Sequence, residues 1–216
     1  MKNKMKSTIN FILFLGALTV VSCKKENTFN DYKFSEKGSV ITCDNQNTAL
    51  INEALFSFEA DIAAFYAQNG QENVPNAYGQ FLRVASINRI KYEDMVSPHT
   101  VKVFEALKHV NDLWDANNPD SHLNYKGDLL ECISSNLKDK KLKTTYDALV
   151  ATNSMKPELF GTPLARNYRA AASDKNLAAY IALDLYYAKL FGIDLSNVKE
   201  KTVVEQKVDF NKRPTK

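Results

Sequence analysis

Glycine, histidine and cysteine are scarce in this chain: seven, three and three residues in 216. So few glycines leave little material for a loop that cradles phosphate. Neither a Walker-type glycine loop nor a dinucleotide fingerprint occurs. The cysteines never fall as C-x-x-C, so thioredoxin-type chemistry and zinc-ribbon sites are unsupported. His-Glu-x-x-His is absent, as are G-x-S-x-G and the paired Glu-x-x-His motifs of di-iron bundles. No internal repeat occurs at solenoid periods, and strand signals are sparse. The longest apolar run, residues 9–21, is shorter than the roughly 20 residues that span a bilayer as a helix. The net charge is +3, and all of it resides in Lys2, Lys4 and Lys6. Residues 38–198 carry −4 and residues 199–216 carry +3. A mildly acidic body argues against nucleic acid, which demands a basic face.

What is present at the N-terminus is a basic start, a short apolar centre, and the sequence Val20-Val21-Ser22-Cys23. This has the form of a secretory signal with a small residue before its cleavage point. It resembles a bacterial lipoprotein signal peptide with its lipobox. The resemblance implies that Cys23 is acylated, becomes the first mature residue and holds the protein on a membrane. Several buried acyl chains hold stably, at roughly 0.8 kcal/mol per CH₂. Lys24 is not the aspartate of the inner-membrane retention signal in enteric lipoproteins, so the resemblance implies the outer membrane. In Bacteroidota-like lipoproteins, acidic residues after the cysteine mark export to the surface. Here Glu26 stands beside Lys24 and Lys25, which leaves the membrane face open.

Removing residues 1–22 leaves 194 residues, enough for one domain with a real core. Residues 23–46 are polar and turn-rich and read as a lipidated tether. Residues 47–198 read as the helical domain, and residues 199–216 as a loose basic tail. Cys43 falls in the lead-in and Cys132 in a predicted helix. Outside the cytoplasm the two can form a disulfide closing a long loop; two unpaired thiols are the alternative.

Helix signals dominate the domain, and we expect an all-α bundle of six to seven helices. Asn47 or Thr48 can cap a first helix to about Gln68, with Leu50, Leu55, Phe58, Ile62 and Phe65 at three-and-four spacing and Asn69-Gly70 as the stop. Pro75 can start a second helix. Ser97-Pro98 starts a third, which carries Val103, Leu107, Val110 and Trp114 before ending near Asn117. A fourth spans Tyr125 to Leu137 and a fifth follows Asp139. Pro157, Gly161 and Pro163 make residues 152–162 read as turns, with a short helix from Pro163 to Ala172. A final helix runs from Asp174 to Phe191, apolar over most of its circumference and so central to the bundle. The weak strand signal lies at Thr202–Phe210.

Few residues stand out as carriers of chemistry. Asp184 shares the apolar face of the last helix with Leu177, Tyr180, Ile181 and Phe191, while Lys175, Tyr186 and Lys189 point away. A carboxylate there must find partners or lose its charge. It serves either as a binding or acid/base group, or as an anchor bonded to tyrosine, backbone or one of Arg89, Arg166 and Arg169. Glu105, His109 and Asp112 fall within roughly 60° on the third helix and could meet one metal ion; a solvated polar face is the plainer reading. His99 and His122 sit near helix starts or loops. Tyr180, Tyr186, Tyr187 and Tyr168 form either an aromatic surface for a glycan, peptide or envelope protein, or ordinary packing. No cofactor is implied. The function expected is a lipid-anchored envelope binding or accessory module. An enzyme built around Asp184 and a metal-binding protein are the alternatives, and the oligomeric state is open.

Overall fold

The first helix, α1 (Thr48–Phe65), is buried on nearly every side. It packs against the second and third helices and against the end of the last one, and its core side chains include Leu50, Leu55, Phe58 and Ile62. Asn69 and Gly70 follow with positive φ and close the Gln68–Gln71 turn that stops it. The computed structural model describes residues 29–44, 48–118 and 120–199. Cys23, Asn47 and the strand signal at 202–210 lie outside those residues.

The other helices start where side chains can satisfy orphan backbone donors. For α2 (Val74–Ala85), Asn73 accepts from the Asn76 N–H at 2.9 Å and Pro75 occupies the first turn. For α3 (Pro98–Leu107), the Ser97 hydroxyl accepts from the Thr100 N–H. Helix α4 (Asp128–Ser135) follows a long loop. Asp139 caps α5 (Lys140–Ala151) through the Lys141 and Leu142 N–H groups. Helices α6 (Pro157–Arg166) and α7 (Tyr168–Ser173) lead to α8 (Lys175–Ile181), capped by Asp174. Asp174 also accepts from the Lys138 N–H at 2.7 Å, tying the α4–α5 connection to the start of α8. The result is an all-α, single-domain bundle of about eight packed helices. Among the described residues there is no sheet, and no helix is long and apolar enough to cross a membrane.

Four segments depart from the sequence reading. The third helix ends at Leu107, and Asp112 has φ of 64°. Residues 157–162 are helical, because Pro157 sits in a first turn where its missing N–H is harmless. Gly161 lets α6 approach α2, since an added Cβ would lie 3.3 Å from the Ser86 Cβ. The lead-in 29–44 lies on the body instead of standing clear of it. Asn52 receives the Val40 and Ile41 N–H groups and donates to the Ile41 carbonyl, and the Ile41 side chain is fully buried. Finally, the helix begun by α8 widens into a π turn at Ala182–Tyr186 and tightens to 3₁₀ winding over Tyr187–Gly192. The wide turn lets Asp184, Leu185, Tyr186 and Tyr187 all be buried in succession, so Tyr186 does not point away as a regular helix would require.

Candidate functional site

Asp184 sits on the π turn with no exposed surface. One carboxylate oxygen accepts from the Ser121 hydroxyl at 2.6 Å and the Tyr125 hydroxyl at 2.8 Å. The other accepts from the Tyr180 hydroxyl at 2.7 Å. Burial raises its pKa, and these three hydroxyl donors oppose the rise. The same burial, with the Asp184 charge, pushes Tyr180 and Tyr125 above the usual tyrosine range, so they remain donors. None of Arg89, Arg166 and Arg169 supplies a bond to Asp184. Tyr125 also lines a surface cleft of about 310 Å³ with Asp115, Asn124 and Asn153, but Asp184 does not line it. The network binds the 121–125 loop to the last helix, and its chemistry is that of a closed anchor.

A second buried polar group runs along α1. Glu53, Ser57 and Asp61 recur every four residues and form one stripe on a helix that is otherwise largely apolar. Glu53, 2 % exposed, accepts the Lys33 N–H at 2.7 Å and the Phe34 N–H at 3.1 Å, which pins the lead-in to α1. The same carboxylate lies 2.6 Å from Nε2 of His99, on the first turn of α3. Because the carboxylate only accepts, Nε2 carries a proton and donates. Nδ1 of His99 is buried and has no hydrogen-bond partner; the nearest carboxylate, Asp31, is 3.8 Å away and holds Lys102 at 2.8 Å. Asp61 accepts from the Ser97 N–H at 3.1 Å and the Tyr186 hydroxyl at 2.6 Å. Burial raises its pKa, opposed by hydrogen bonds from Thr100, Tyr186 and Ser97. Further along α1, Glu59 binds the Tyr78 hydroxyl at 3.0 Å and Lys175 at 2.5 Å.

Between α1, α3 and the lead-in lies a cavity of about 240 Å³, lined by Ser57, Asp61, His99, Ser97, Phe34 and Glu72 among others. The Ser57 hydroxyl is fully buried and interacts with the Tyr187 side chain. Its neighbour Tyr187 donates to the Ala54 carbonyl at 3.0 Å. The carboxylate of Asp61 and the side chain of Glu72 make part of this wall acidic, with Lys33 the basic residue of the lining. Sequence reasoning placed His99 at a helix start and treated α1 as an apolar stripe. The signal for this site was the four-residue recurrence of Glu53, Ser57 and Asp61.

The remaining candidates are dispersed. Glu105 pairs with Lys108 at 2.6 Å on the surface. Asp112 accepts from Asn124 at 2.7 Å and the Asp128 N–H at 3.0 Å, organising the loop before α4. His109 lies past the end of α3, where the helical spacing that would align it with Glu105 and Asp112 no longer holds. Among the described residues, no group of three or more His, Cys, Asp and Glu side chains could hold a metal ion. Cys43 and Cys132 form a disulfide that fastens the lead-in to α4. Tyr180, Tyr186 and Tyr187 are core residues, not a surface. Phe191, by contrast, is partly exposed and meets Trp114, Phe104 and His122 at ring-centroid distances of 5.0, 5.1 and 4.6 Å.

No protein-family model, curated protein or solved structure matches this chain.

Proposed function

We propose that this is a lipid-anchored cell-envelope protein whose helical domain acts as a binding or accessory module. The observation that carries the reading is the lipobox-like Val20-Val21-Ser22-Cys23 after a basic, short apolar leader. The Cys43–Cys132 disulfide supports it, since such bonds persist in oxidising compartments outside the cytoplasm. The cavity lined by Ser57, Asp61 and His99 supports the binding half, because it is a concave site with polar side chains in its lining.

Cys23→Ala tests the anchor. In the native host, palmitate labelling should disappear, and the protein should either move to the soluble fraction or stall before cleavage. A variant that is cleaved, unlipidated and still retained in the membrane would sink the anchor reading while leaving the binding half untouched.

A further inference from the structure

We infer that the outer face of α2, α6 and α7 docks on an anionic lipid surface, with its arginines on headgroup phosphates and Ile87 and Leu159 at the acyl boundary. The inference goes beyond the binding-module reading. It takes from the envelope reading only that a membrane lies beside the domain, and it does not depend on acylation of Cys23. Charge is distributed unevenly over this molecule. Residues 74–91 and 159–173 hold Arg83, Arg89, Lys91, Arg166 and Arg169 and no acidic residue, whereas residues 38–198 as a whole carry −4. The two segments pack together. A Cβ added at Gly79 would lie 3.2 Å from the Tyr168 ring, and one at Gly161 would lie 3.3 Å from the Ser86 Cβ, so α2 runs antiparallel to α6 and α7. All five cations are exposed, and among the described residues none of them makes an ion pair. The acidic side chains pair with lysines elsewhere, as in Lys102–Asp31, Lys143–Asp147 and Lys175–Glu59. The Arg169 guanidinium lies 5.5 Å from the centroid of the Tyr168 ring, a stacking that leaves its N–H donors free.

The same face carries the apolar exposure. Ile87 and Leu159, 57 % and 53 % exposed, are the two most exposed large hydrophobic side chains among the described residues. They flank the Ser86–Gly161 contact, so one end of the α2–α6 pair is apolar. Helical winding continues past Ala85, because Ser86 is αR and the Ile87 N–H reaches the Val84 carbonyl at 3.3 Å. Arg83 precedes Ile87 by four residues and Arg166 follows Leu159 by seven, so each arginine shares the outward side of its helix with an aliphatic side chain. Exposed aliphatic groups rimmed by basic ones suit the headgroup boundary of a bilayer. Guanidinium groups match phosphate with two parallel donors. A small soluble anion would answer the arginines but leave Ile87 and Leu159 in water. A neutral apolar partner would cover those two and leave five cations without counter-charge. An anionic lipid surface supplies both partners at once. It also repels the acidic remainder of the domain, which favours this one orientation.

Hydrogen exchange of the full-length Cys23→Ala protein tests the face, with vesicles of phosphatidylcholine alone or of equal parts phosphatidylcholine and phosphatidylglycerol. Lys2, Lys4 and Lys6 also attract the leader to anionic vesicles, so the readout is the position of protection along the chain. The expected result is slower exchange in residues 83–91 and 159–169 with the mixed vesicles alone, reversed by high salt, while α3 and α4 are unchanged. Arg83→Gln, Arg166→Gln and Arg169→Gln should each raise the vesicle concentration for half-protection roughly fivefold, the loss of one basic residue at an anionic surface. Ile87→Ser with Leu159→Ser should raise it several-fold and keep the salt dependence. All five side chains are exposed, so the substitutions spare the core. Equal protection by phosphatidylcholine alone would overturn the role of charge. Equal protection by soluble polyglutamate would assign the face to an acidic polypeptide and overturn the lipid surface. No protection in either segment, or protection unchanged by the arginine variants, would overturn the docking face itself. None of these outcomes turns on acylation of native Cys23, which palmitate labelling decides separately.

Discussion

Asp184 and Asp61 are both carboxylates removed from water, and Tyr side chains donate to each, but their surroundings differ. Asp184 is enclosed by three hydroxyls, has no exposed surface and lines neither the cleft of about 310 Å³ nor the cavity of about 240 Å³. Asp61 takes its bonds from Tyr186, Thr100 and the Ser97 backbone and also lines a cavity between α1, α3 and the lead-in. The enclosed network connects elements distant in sequence, residue 121 to residue 184. The open one is built between α1, α3 and a lead-in held by Glu53. A buried charge is therefore not in itself a sign of function in this molecule. What separates the two is access: Asp61 belongs to the lining of a cavity, and Asp184 does not line the cleft beside it.

The largest expected effect breaks the closed side. Asp184→Leu leaves the Ser121, Tyr125 and Tyr180 hydroxyls without their common acceptor. Each stranded buried donor costs about 1–3 kcal/mol in general. Shared relaxation of the three should hold the total near 3–5 kcal/mol, the range for breaking a buried polar cluster. Chemical denaturation should show this loss. An equally stable Asp184→Leu protein would mean that Asp184 is not the anchor described here.

That network also shows how far the sequence could be read. The 3.6-residue spacing placed Asp184 inside the bundle, and the helix starts at Ser97, Asp139 and Asp174 were legible from capping chemistry alone. The partners were not legible. Ser121 and Tyr125 come from a loop 59 to 63 residues away, and no local rule brings that loop to the last helix. The π turn was invisible for a related reason: the periodicity argument assumes constant winding, and only tertiary packing rewards burying Tyr186 and Tyr187 together. Pro157 and Gly161 read as turn residues, yet proline is at home in a first helical turn and glycine where two helices touch. The α1 stripe was present in the sequence as Glu53, Ser57 and Asp61. It was hidden because the strong apolar pattern of the same helix fully accounted for its formation.

The next effect loosens the open side and leaves the closed side alone. Cys43 ends the segment whose Lys33 and Phe34 line the cavity, and its disulfide closes a sequence separation of 89. In the chain-entropy model, a bridge of that span stabilises by about 4 kcal/mol. Cys43→Ser with Cys132→Ser should therefore lower denaturation midpoints strongly. Hydrogen exchange should rise most at the Lys33 and Phe34 amides, and little at the α8 amides. Uniform deprotection of both regions would erase the distinction between them.

Proton linkage gives a smaller, directional test. The Asp61 pKa is raised above the ordinary carboxylate value of 3.8, mainly by burial. The folded state then holds that proton more tightly than the unfolded chain does. Its contribution is fully present below the ordinary value and is lost as pH rises through the raised one. Asp184 acts in the same direction. Asp31, lowered by Lys102, acts in the opposite direction but is on the surface and screened. Asp61→Asn retains an oxygen for the Ser97 N–H and removes the titration. The fall in its melting temperature as pH rises from the carboxylate range toward neutrality should be shallower than in the wild type. An unchanged slope would show that Asp61 titrates as it does in the unfolded chain.

The smallest effect concerns an unpaired hydroxyl beside the closed network. The Tyr146 hydroxyl is buried without a hydrogen-bond partner, while its ring packs edge-on against Phe160 and Tyr180 at 5.8 and 5.3 Å. Near it, Asp184 already accepts from three hydroxyls, and Tyr146 does not line the cavity or the cleft. Tyr146→Phe keeps both ring contacts and removes only the unsatisfied oxygen. It should be neutral or stabilise by up to about 1 kcal/mol, because removing an unpaired buried polar group relieves its desolvation. A loss of about 1 kcal/mol or more in chemical denaturation would show that the Tyr146 hydroxyl has a partner that the Phe variant strands.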